Sequence, residues 1–64
     1  MIDLKTFKEF SKSRQVDEIL SSGKVLDTHN TKNLKIISYQ MNGFIVDMQY
    51  DLKTSEFLGL YYGN

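Results

Sequence analysis

The stretch Leu34-Lys35-Ile36-Ile37-Ser38-Tyr39-Gln40-Met41-Asn42-Gly43-Phe44-Ile45-Val46-Asp47-Met48-Gln49-Tyr50 decides the fold. Its centre, Asn42-Gly43, joins two residues that tolerate positive φ, the composition of a two-residue type I′ hairpin turn. Such a loop sets Met41 opposite Phe44, Tyr39 opposite Val46 and Ile37 opposite Met48. Those side chains share one face of the ribbon, and all are apolar or aromatic. The other face pairs Gln40 with Ile45, Ser38 with Asp47 and Ile36 with Gln49. A slip of one residue would mix the two sets, so turn chemistry and side-chain alternation select the same register.

Outward from this hairpin, strands of residues 34–41 and 44–50 gain a neighbour on each side. Residues 24–28 read as a short first strand, followed by the polar loop His29-Asn30-Thr31-Lys32-Asn33. Beyond Tyr50, Asp51 can accept backbone amides two residues on and so turn the chain. The segment Asp51-Leu52-Lys53-Thr54-Ser55-Glu56 is similar to the Asp-Pro-x-Thr-Gly-Glu turn found between strands of many unrelated domains. Here Leu52 stands for the usual Pro and Ser55 for the usual Gly. That likeness implies a hairpin and says nothing about activity. Residues 56–62 form the fourth strand, with Phe57 and Tyr61 expected on one face and Leu58, Leu60 and Tyr62 on the other.

The first 22 residues have helical grammar. Asp3 is a candidate N-cap, and Leu4, Phe7 and Phe10 share a face with Ser11. Lys5, Lys8 and Lys12 form a stripe beside it. Val16, Ile19 and Leu20 lie half a turn away on the same wheel, so the helical region is either kinked or split into segments of about 3–11 and 14–21, the second capped by Ser13. Gly23 is expected to end it in the left-handed conformation. The fold class that follows is α+β: a helical segment, in one piece or two, laid on the Tyr39–Val46 face of a four-stranded antiparallel meander.

The chain has 64 residues, enough for one domain spanning residues 1–64. It has eight cationic and eight anionic side chains and no Cys, Pro, Trp or Ala. A disulfide scaffold, a Cys-ligated metal site and a thiol catalyst are therefore excluded. No apolar run approaches the roughly 20 residues of a membrane span, and Asp3 does not suit a secretory leader, so a cytoplasmic protein is expected. Abundant Ile, Lys, Asn, Phe and Tyr with a single Arg, Arg14, point to an AT-rich coding sequence of the kind common in phages and low-GC bacteria.

The inventory for chemistry is thin. His29 is the lone imidazole, and Asp27 lies two residues away on the same strand face; without a cleft or nucleophile this pair reads as solvent-exposed loop chemistry. Ser11, Ser13, Ser21 and Ser22 read as caps and helix-end residues. Asp47 with Asp51, or Asp17 with Glu18, offer oxygen ligands at no recognisable metal spacing. No enzyme, cofactor or metal is expected.

Charge is unevenly spread. Residues 1–14 carry four cations against Asp3 and Glu9, whereas residues 36–64 carry Lys53 against Asp47, Asp51 and Glu56. Against this background residues 57–64 are unusual, since they contain no charge and are apolar on both faces. An edge strand is normally guarded by Lys, Pro or a bulge. Something must cover it: the Val16/Ile19/Leu20 helix face, a second copy of the chain, or another protein. The expected function is a small protein-interaction module, such as a phage-type or regulatory inhibitor that occupies a partner's surface, or a dimer. Leu58, Leu60, Tyr61 and Tyr62 with Ile36 and Ile45 would supply the contact, and Lys5, Lys8 and Lys12 would steer an acidic partner. The alternative is a nucleic-acid-associated protein with the same lysines on phosphate and the tyrosines stacked on bases.

Overall fold

A computed structural model describes residues 2–63. Two helices, α1 (Leu4–Glu9) and α2 (Lys12–Ser22), precede four strands, β1 (Lys24–Asn30), β2 (Leu34–Gln40), β3 (Ile45–Asp51) and β4 (Phe57–Gly63). The strands form one antiparallel sheet in the order β1-β2-β3-β4, a meander with β1 and β4 at its edges.

The central hairpin has the expected register, with Tyr39 opposite Val46, Ile37 opposite Met48 and Ser38 opposite Asp47. Its turn differs in one respect. Gly43 has φ +83° while Asn42 keeps a negative φ, the sign pattern of a type II turn rather than I′. Gln40 braces the turn, donating from Nε2 to the Met41 and Phe44 carbonyls at 2.9 and 3.1 Å.

The helical region is two helices because Phe10 is extended, and each helix has its own cap. The Asp3 carboxylate accepts from the Thr6 amide at 2.9 Å, as expected. The second cap is Ser11 and not Ser13: once α1 stops at Phe10, Ser11 is the extended residue whose hydroxyl reaches the Arg14 amide. The break also leaves Lys12 on a different helix from Lys5 and Lys8, so the expected basic stripe is discontinuous. Gln15, 6% exposed, ties the helices together by donating from Nε2 to the Phe7 carbonyl at 2.9 Å.

Gly23 is not left-handed: its φ is −75°. Glycine is needed there because the backbone is crowded. A Cβ would lie 2.6 Å from the Ile19 carbonyl oxygen, 3.0 Å from the Met41 sulfur and 3.2 Å from the Tyr39 ring. β1 continues to Asn30, two residues beyond the expected strand, so His29 is a strand residue.

Both helices cover the same face of the sheet. Phe7 and Ile19 pack with Tyr39, Met41, Phe44, Val46, Met48 and Leu60, and Phe7 is enclosed by the Phe44 and Tyr62 rings at 5.2 and 5.6 Å. α2 therefore does not fold over the opposite face, one of the three covers considered for it.

Candidate functional site

The surface of interest is built by β4 and the sheet face away from the helices. A bulge shapes it. Gln49 pairs with Gly59 but Tyr50 pairs with Phe57, so Leu58 is an extra residue without a partner. Alternation therefore shifts at Leu58, and the expected division of faces is corrected. Phe57 turns to the helix side, where its ring meets Tyr50 at 5.7 Å, while Gly59, Tyr61 and Gly63 occupy the outer face.

The anchor residues accordingly separate. Leu60 is 7% exposed in the core, so it is not an exposed anchor as expected from sequence. Tyr62 is on the helix side too, its ring against Phe7, and 38% exposed. Leu58 and Tyr61 remain at the surface, 50% and 58% exposed. Ile45 is exposed and Ile36 half-buried, both on the outer face. Lys5, Lys8 and Lys12 are exposed in the helical layer, on the other side of the sheet. No continuous patch unites all nine residues.

The outer face is ordered in cross-strand rows. Asp27, Ser38, Asp47 and Tyr61 form one; His29, Ile36, Gln49 and Gly59 form the next. The Ser38 hydroxyl donates to Asp47 Oδ1 at 2.6 Å. Gln40, Ile45, Asp47, Tyr61 and Gly63 line a depression of about 380 Å³, with Gly43, Phe44 and Tyr62 completing its wall. Tyr61 bends along its own strand, and its hydroxyl lies 3.4 Å from where a Cβ on Gly59 would be. The ring thus covers the bare glycine, which is buried.

The backbone of β4 can be assigned as well. In an antiparallel pair, bonded and non-bonded residue pairs alternate. The Met41 amide donates to the Phe44 carbonyl and the Asp51 amide to the Glu56 carbonyl, both at 2.8 Å. Counting from these, Gly59, Tyr61 and Gly63 bond to β3, and the N–H and C=O of Leu60 and Tyr62 point to the open edge. At the other edge, β1 carries Lys24, Asp27 and His29 and a bulge at Leu26, the usual guards against stray pairing.

The remaining chemical candidates are dispersed. Asp27 and His29 do approach, at 3.8 Å, but both are well exposed on β1. No group of three or more His, Cys, Asp or Glu residues among the described residues could hold a metal ion. Among those residues no helix is long and apolar enough to cross a membrane. Of the tyrosines proposed for base stacking, Tyr39 is buried and Tyr50 is packed on Phe57, its hydroxyl pKa raised by burial.

Sequence reasoning missed Gln15 and Gln40, whose amides lock the helix pair and the hairpin. A glutamine in the first turns of a helix, as Gln15 is, or beside a hairpin turn, as Gln40 is, is a weak signal. The chain was compared with protein-family models, curated proteins and solved structures, and none matches it.

Proposed function

We propose that this chain is a small non-enzymatic protein-interaction module that acts by occupying a partner's surface, as a phage-type or regulatory inhibitor does. The observation that carries this reading is β4: an edge strand without a single charge, open along its backbone, with Leu58 and Tyr61 exposed beside it. Strand addition to such an edge gains main-chain hydrogen bonds for affinity and flanking side chains for selectivity. Tyrosine is also among the residues that dominate interface energetics.

The placement of Leu60 redirects the test. Leu60→Lys would put a charge in the core and unfold the chain, so Leu58→Lys and Tyr61→Lys are the informative variants. Both should keep the wild-type circular dichroism spectrum and lose the partner retained by the tagged wild-type chain from its native host lysate. Retention of the same partner by both variants removes β4 as the site. Light scattering across a concentration series separates a second copy from a different protein.

A further inference from the structure

The partner's chemistry is legible at the same site, on the reading that β4 is the docking edge. Asp47 is half-buried, and Ser38 holds one of its oxygens. No Lys, Arg or His lies within ion-pair distance of it among the described residues. Tyr61 is its direct cross-strand neighbour, and both line the outer depression together with Ile45. A carboxylate beside an aromatic ring, over an aliphatic floor, suits a guanidinium or ammonium group and its methylene stem.

Access is provided by glycine. A strand added to β4 would align its outer-face side chains with Gly59, Tyr61 and Gly63. A side chain opposite Gly63 meets no side chain on β4, and a long one can cross toward β3. The electrostatics favour a cation there. No cation is among the paired outer-face residues of β2, β3 and β4. On the far edge strand β1 the charges of Asp27 and Lys24 offset one another, which leaves Asp47 to set the sign beside Tyr61. The exposed lysines of the helical layer are on the opposite side of the sheet. A polyanion would meet the wrong sign at Tyr61.

We infer that a basic, extended segment of a partner protein adds to β4 as a fifth strand, seating an Arg or Lys side chain between Asp47 and Tyr61. The acidic partner expected from the helix lysines is thus not the one this face would take.

The test uses a displayed library of random dodecapeptides selected on the intact chain, with the strongest binder then titrated into the 15N-labelled protein. Recovered peptides should carry Arg or Lys at alternate positions, and amide shifts should fall on Leu58–Gly63 and Asp47. Asp47→Asn, which keeps an oxygen for the Ser38 hydroxyl, should melt like wild type and weaken binding by about tenfold or more. Binders that map to β4 without basic enrichment, or that tolerate Asp47→Asn, overturn the basic-segment inference but leave strand docking standing. Shifts confined to α1 and α2 overturn both. Shifts on β4 that grow with protein concentration alone identify a second copy as the occupant and overturn the inference.

Discussion

Ser55 is the one non-glycine residue with positive φ among the described residues, at +66°. It closes the β3–β4 hairpin, where its amide donates to the Asp51 carbonyl at 2.8 Å. Left-handed geometry brings Cβ against the following carbonyl and costs an L-residue about 1–2 kcal/mol. Glycine escapes that cost but has more freedom to lose on folding, about 0.5–1 kcal/mol. The Ser55 hydroxyl makes no hydrogen bond among the described residues, so its removal subtracts little. Ser55→Gly should therefore stabilise the chain by about 0.5–1 kcal/mol, a fair share of the roughly 3–5 kcal/mol that so small a core supplies. At about 4–8 °C per kcal/mol, the melting midpoint should rise by roughly 2–8 °C. Urea titration followed by circular dichroism should show a higher midpoint with an unchanged slope. Ser55→Ala keeps the Cβ and should give no gain. If Ser55→Gly melts at or below wild type with the slope preserved, the strain assigned to this turn is absent.

Four further outcomes follow from named contacts. Leu52→Pro would restore the other residue of the turn pattern, yet it should destabilise by about 1 kcal/mol in urea titration, because the Leu52 amide donates to the Asn33 carbonyl at 3.0 Å. Gly23→Ala should cost about 2 kcal/mol by the same measurement, since the new methyl meets the Ile19 carbonyl, a backbone atom that cannot swing aside. Gln15→Ala should cost about 1–2 kcal/mol and loosen α1 first, seen as faster amide exchange at Phe7 and Phe10. Amides of Thr54 and Lys53 hold the Asp51 carboxyl below its usual range, and the Thr6 amide does the same for Asp3. Folded values below the unfolded one mean that the unfolded chain binds more protons in that window. Stability should thus be complete above the unfolded carboxylate pKa, near 4, and fall as pH drops through the folded values; Asp51→Asn should flatten that acid limb in melts recorded from pH 2 to 7, an outcome excluded if both chains lose stability in parallel.

The proposed docking edge also bears on how the chain avoids aggregation. β1 is guarded by charge and a bulge, whereas β4 relies on the Leu58 bulge and on Tyr61 folded over Gly59. A bulge raises local twist and limits how far a new strand can pair. Residues Leu60 to Gly63 are the part of the edge beyond it, next to the depression that holds Asp47. Pairing there is short, which suits recognition of one segment better than open-ended stacking.

Much of this architecture is local in origin and could be read from the chain alone. The Asn42-Gly43 turn joined to period-two alternation fixes a register, because a one-residue slip would exchange buried for exposed side chains along two strands. Asp3 and Asp51 act on amides two or three residues away, within reach of any short carboxylate. The tertiary structure decided what depends on distant chain. Gly23 is glycine because a Cβ there would meet the Ile19 carbonyl one turn back, with Met41 and Tyr39 of the distant hairpin closing off any escape, not because its own backbone needs a positive φ. The bulge at Leu58 sends Leu60 and Tyr62 inward with Phe57, leaving Tyr61 outside. Gly59 marks a break in this strand in the sequence, but a pattern apolar on both faces does not say which residue is the extra one or which face each side chain takes. Which face α2 covers was open for the same reason: Ile19 had two greasy surfaces to choose from, and only simultaneous packing with Phe7 on Met41, Val46 and Met48 selects one.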